Sequence, residues 1–137
     1  MGTFRSGEGS INEDVTITGT TTFNGPIGFA DGGKLTIADG TVTVTHSSHT
    51  LDGESGAADD LNRINGGTAI GQLLILRKDS TMADGNTITI KDWTTGDSAG
   101  RNLNLPGHRS LTDQLDTIVL MWTGAIWIEL AHANNET

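Results

Sequence analysis

Asp116-Thr-Ile-Val-Leu-Met-Trp-Thr-Gly-Ala-Ile-Trp-Ile-Glu-Leu130 is the most apolar part of the chain. Two dense apolar runs flank Thr123-Gly124. Glycine supplies the positive φ that a tight turn requires, so the stretch predicts a β-hairpin. Ile118, Leu120 and Trp122 alternate with Val119 and Met121 on the first strand; Ile126, Ile128 and Leu130 alternate with Trp127 and Glu129 on the second. Both faces of the first strand are therefore apolar, and a single sheet can bury only one of them. The other needs a second sheet or a neighbouring subunit.

Working outward, the segment before the hairpin reads as longer, apolar strands at Gln72 to Arg77, Asn86 to Lys91 and Arg101 to Leu105, separated by short polar turns. Gln72-Leu-Leu-Ile-Leu is apolar on both faces and should be central; Asn86-Thr-Ile-Thr-Ile alternates and should be half exposed. Residues 51–137 are thus expected to form a compact antiparallel β-sandwich or barrel. Residues 15–50 read differently. Val15 to Thr18, Thr21 to Phe23, Pro26 to Phe29, Lys34 to Ile37 and Thr41 to Thr45 are short Thr-rich runs punctuated by glycine turns, like a β-ribbon or the rungs of a solenoid. Isolated ribbons of this kind are marginal. Three copies sharing an apolar face would stabilise them, with Leu35, Ile37, Val42 and Val44 as candidate trimer contacts. Residues 1–14 are a polar, Gly-rich arm whose candidate docking residues, toward whatever surface the protein sits on, are Phe4 and Arg5. Asp59 to Ile64 before Asn65-Gly-Gly67 predicts the one helical turn, with Leu61 and Ile64 facing inward.

Composition supports an all-β chain that gains from oligomeric burial: 34% of the 137 residues are hydrophobic, 4% aromatic, and 19 are glycine. The net charge of −9 divides as −3 over residues 1–50 (two basic, five acidic) and −6 over 51–137 (six basic, twelve acidic). With no basic stripe to follow a phosphate backbone, nucleic acid is not an expected partner. No cysteine is present, which removes disulfides, thiol nucleophiles and thiolate metal sites. No apolar run approaches the roughly 20 residues of a spanning helix, so a soluble protein with no membrane partner is expected.

The order of the pieces carries a resemblance. Asp59 to Gly67 is followed by Gly71-Gln-Leu-Leu-Ile-Leu, then Thr87-Ile-Thr-Ile-Lys-Asp, Asn102-Leu-Asn-Leu, a Leu-x-x-x-x-Asp-Thr-Ile-x-Leu strand (Leu111 to Leu120) and a terminal Gly-x-x-Trp-x-Glu-Leu (Gly124 to Leu130). This series resembles the C-terminal β-domain of tail fibres, head fibres and small capsid decoration proteins of tailed bacteriophages. Trp122 matches the aromatic two residues before the turn glycine. The resemblance covers roughly residues 46 to 132 and leaves residues 1 to 45 outside it. It implies a homotrimeric virion structural protein without catalysis.

Beside that resemblance the residues offer little chemistry. His46-Ser-Ser-His49 is the only close histidine pair, and on a strand residues three apart point to opposite faces, so no metal is expected there. Asp52-Gly-Glu54 and Asp59-Asp60 read as turns rather than calcium ligands. There is no Gly-x-Ser-x-Gly elbow, and Asp31-Gly-Gly-Lys34 lacks phosphate-loop spacing. A hydrolase built on paired carboxylates has few aromatics to stack a sugar. Neither an enzyme nor a cofactor is therefore expected. Core packing is the expected role of Trp122 and Trp127; Trp127, sharing a face with Glu129, is the better interface candidate. The leading expectation is a decoration protein on the outer surface of a phage head, bound to the major capsid protein. The alternative is a tail-fibre or tail-tip protein that recognises a host surface glycan. Shortness of the chain favours the first.

Overall fold

A computed structural model describes residues 16–83, 85–93 and 100–135. The chain is all-β. Its elements in order are β1 (Asp31–Thr36), β2 (Thr41–Thr43), β3 (Ser48–Asp52), a 3-10 turn (Glu54–Gly56), β4 (Asp59–Leu61), β5 (Arg63–Asn65), β6 (Leu73–Lys78), β7 (Ile88–Ile90), β8 (Leu103–Asn104), β9 (Arg109–Leu111), β10 (Thr117–Trp122) and β11 (Trp127–Ala133). Phe4 and Arg5 lie outside the described residues, as does the turn at residues 94–97.

The hairpin forms as the sequence predicts. β10 and β11 pair antiparallel, with Trp122 opposite Trp127. The Thr123 amide donates to the Ile126 carbonyl at 2.9 Å, so the two central turn residues are Gly124-Ala125, one position beyond the expected pair. Gly124 sits at φ 100°, a conformation that side chains rarely adopt.

Upstream, the strands stack by winding rather than by reversing. β1 lies parallel to β3, β3 parallel to β6, β2 parallel to β5 and β4 parallel to β7. Each circuit lays a strand beside its predecessor, placing Leu35 next to Leu51, Val42 next to Ile64 and Leu61 next to Ile90. Parallel neighbours need a long connection, and the glycine turns between short strands provide it by carrying the chain around the core. Within residues 51–137, β4 with β7 and β8 with β11 are parallel, so the antiparallel domain expected there is corrected to one of mixed pairing. Antiparallel pairing is confined to β6 with β10, β10 with β11, and β7 with β9.

The resulting sheets are six-stranded (β1-β3-β6-β10-β11-β8), three-stranded (β4-β7-β9) and two-stranded (β2-β5). A single hydrophobic core runs from Ile37 to Trp127, and β3 crosses residue 50 inside the largest sheet. The expected division at residues 50 and 51 therefore falls within one packed body.

Two further expectations are corrected. Asp59 to Ile64 is no helical turn: β4 and β5 each find a parallel partner, and the chain kinks at Asn62, where the Gly40 carbonyl accepts from both the Asn62 and Arg63 amides at 2.7 and 3.0 Å. The kink still turns Leu61 and Ile64 inward, and both are fully buried. Residues 16–30 form no strand and are exposed throughout, with no pairing strand among the described residues.

Candidate functional surfaces

The side chains expected to make a trimer interface sit inside the single chain. Ile37 and Trp127 are wholly buried, Val42 and Val44 nearly so, and Leu35 packs against them from the edge. The Trp127 indole N–H donates to the Ile64 carbonyl at 3.1 Å, which satisfies its one polar group in the interior. Side chains so covered have no surface to give a partner, so the reading of Ile37, Val42, Val44 and Trp127 as intersubunit contacts is corrected to one of core packing. Their apolar alternation was legible; that the solenoid winding would bury it within one chain was not.

Trp122 is the more accessible indole, yet its ring is occupied. It lies 5.2 Å from Trp127 between ring centroids, tilted by 51°, and backbone at Gly67 presses on its six-membered ring so closely that a Cβ there would collide. A hollow of about 370 Å³ beside it is lined by Arg63, Asn65, Arg101 and Asn102 among others. Asn102 spends its side-chain amide on Ile64, accepting from the amide at 3.0 Å and donating to the carbonyl at 2.7 Å, and so replaces a missing strand pair. Arg63 bonds Asn65 and the Gly100 carbonyl. These bonds of Arg63 and Asn102 hold the fold together, and Gly67 and Trp127 both pack against the indole.

The histidine pair is likewise structural. His49 is fully buried. Its Nε2 accepts from the Thr45 and His46 amides at 3.2 and 3.1 Å, which requires Nδ1 to carry the proton donated to the Gly33 carbonyl at 3.0 Å. Both ring nitrogens are consumed by backbone, so neither can ligate a metal. Among the described residues, no three His, Asp or Glu side chains converge in a geometry suited to a metal ion.

Buried carboxylates follow the same pattern. Asp116 is withdrawn from water, which pushes its pKa up, but amides of Asp113, Asn135 and Thr112 and the Thr112 hydroxyl outweigh that and hold it below the usual range. Asp79 is buried too, and bonds from Thr81 and Thr50, with Lys34 nearby, hold it low. Lys78 reaches the Thr112 carbonyl at 2.8 Å beside a polar hollow of about 330 Å³. Arg109 grips Glu129 through two bonds of 2.7 and 2.9 Å, which raises its own pKa.

What remains unspent is apolar. On the outer face of the six-stranded sheet, Leu73 and Ile75 of β6 lie beside Met121 and Val119 of β10, and Met121 beside Ile128 of β11. All five are partly exposed and none belongs to the core, whereas Leu74, Leu76, Ile118 and Leu120 on the inner face are wholly buried. Leu130, displaced by the bulge in β11, adds a side chain that is 51% exposed. This is the second face for which the sequence demanded cover. The other unspent element is residues 16–30, where Ile17, Phe23, Ile27 and Phe29 are 46 to 64% exposed. No helix among the described residues is long and apolar enough to cross a membrane. Compared with protein-family models and with curated proteins, the chain matches none.

Proposed function

We propose that this chain is a structural protein of a tailed-bacteriophage virion, a homotrimeric decoration protein seated on the outside of the head against the major capsid protein. The observation that carries the reading is the division of labour along the chain. An acidic β body with a single hydrophobic core, and with Asp79, Asp116 and both hairpin indoles committed to the fold, follows an exposed, uncharged segment at residues 16–30 that carries Ile17, Phe23, Ile27 and Phe29. The motif order from Asp59 to Leu130, resembling phage fibre and decoration domains, supports the same assignment. Such a protein acts by adding buried area across the joints between capsid subunits. Binding to the assembled shell alone stabilises that shell by mass action, with no reaction performed.

The test is stoichiometry and phenotype in the virion. Hundreds of copies per particle are expected on the head, and particles lacking the protein should lose heat resistance while adsorbing normally to cells. A handful of copies at the tail, with adsorption abolished on their removal, would overturn the decoration reading and assign the chain to receptor recognition.

A further inference from the structure

Apart from single exposed side chains such as Ile70, Trp93 and Leu115, the described residues leave two apolar surfaces outside the core, and they match. Between Thr16 and Ala30 there is no charged residue, although the whole chain carries −9. Within that segment the large apolar residues, Ile17, Phe23, Ile27 and Phe29, fall only on odd positions, while even positions carry Thr16, Thr18, Thr20, Thr22 and Asn24. In extended chain a period of two places one set on one side. Bends at Gly19 and at Asn24-Gly25 divide the segment, and within the last stretch Ile27 and Phe29 share one side, both exposed to water. The outer sheet face is its counterpart: Leu73, Ile75, Val119, Met121 and Ile128 form an uncharged ridge that stands outside the core.

Geometry favours a second copy over the same chain. β1 is the edge strand, and β10 lies three strands away in the order β1-β3-β6-β10, a separation of about 14 Å at roughly 4.8 Å per strand. Phe29 precedes β1 by two residues, a reach of only about 7 Å. The chain before β1 would have to reverse at once to return to its own ridge, whereas running straight on carries it away from its own sheet.

We propose that residues 16–30 of one copy lie across the outer face of the six-stranded sheet of a neighbouring copy, so that the oligomer is held by exchanged arms. This rests on the homotrimer of the proposed function and supplies its interface in place of the buried residues. Each copy gives one arm and receives one. Each contact in the trimer therefore sets the 15 residues of one arm against the ridge of the next copy. Uncharged surfaces make such contact without desolvating ions, which an acidic body would otherwise bring into opposition.

The chain has no native cysteine, so disulfide trapping reads the contact directly. In full-length protein, Phe29→Cys is mixed with Ile75→Cys or with Met121→Cys and mildly oxidised. A cross-linked dimer at least tenfold more abundant in the mixture than in either variant alone is expected. Sedimentation of Ile27→Asp, Phe29→Asp should show the oligomer reduced to monomer. Cross-linking only within a single chain carrying both cysteines would overturn the exchange. So would dimer formed equally by Met121→Cys alone, or an unchanged oligomer mass in the double aspartate variant. Cosedimentation of unmodified protein with empty phage heads is measured separately. Its failure overturns the decoration reading, while failed arm exchange with head binding retained leaves that reading standing.

Discussion

At the scale of the residue, the strongest constraint is satisfaction of buried polar atoms. Trp127 shows how this redirects an interpretation: its Nε1 bond to the Ile64 carbonyl ties the hairpin to β5, deep in the core. Trp127→Ala should therefore lower the urea midpoint by an amount equivalent to about 3–5 kcal/mol, the usual cost of removing a buried large aromatic side chain. The oligomer mass of the remaining folded protein should not change, which sedimentation at low temperature would check. Asp116 and Asp79 give a pH dependence of definite sign. Both carboxyls are held below their ordinary value of 3.8. Their stabilisation is fully present above the unfolded pKa and is lost as pH falls through the folded one. Urea midpoints should accordingly be level from neutral pH down to about 5 and decline below about 4. Asp116→Asn, which gives up the charge that four donors address, should lower the midpoint at pH 7 and flatten the acid decline.

At the scale of the element, the bulge in β1 is built around a ring. Asp31 pairs with Ser48 and Lys34 with Thr50, so β1 carries one extra residue there. The bulge brings the Gly33 carbonyl to His49 Nδ1, and Gly32 lies against the imidazole so closely that a Cβ would collide with the ring. Gly32→Ala should cost about 1–3 kcal/mol, as overpacking does, and should be seen as a lowered thermal midpoint with strand content intact. None of this was legible in Asp31-Gly-Gly-Lys34, which reads as an ordinary turn. The hairpin was legible because its signal is local: two apolar runs and a glycine. The inward pairing of Leu61 and Ile64 was legible too, although the spacing suggested a helical turn. Tertiary pairing with β2 and β7 overrode that propensity, since each short segment gained a parallel partner that a lone turn would lack. Parallel winding is marked only weakly, by the short glycine-punctuated runs of residues 15–50 that read as a ribbon or as solenoid rungs, because coil lengths vary and no repeat can be aligned. Short rungs of that kind point to a partner for their apolar residues as readily as to the chain's own core.

At the scale of the molecule, the hydrophobic core and the exposed apolar surfaces separate cleanly. Everything from Ile37 to Trp127 that packs inward is covered within one chain. With arms exchanged as proposed, folding of the body should be independent of association, and residues 16–30 should contribute only to association. That separation predicts how stability responds to concentration. A partner that binds only the folded state adds RT ln(1 + [L]/Kd), which is about 2.7 kcal/mol at a hundredfold excess over Kd. The unsubstituted protein should show a thermal midpoint that rises with protein concentration. In Ile27→Asp, Phe29→Asp the midpoint should become independent of concentration and coincide with that of the unsubstituted protein at high dilution, because neither side chain touches the core. A midpoint in the double variant well below that dilute limit would show that the segment supports its own body, and calorimetry across a hundredfold concentration range would resolve the two outcomes.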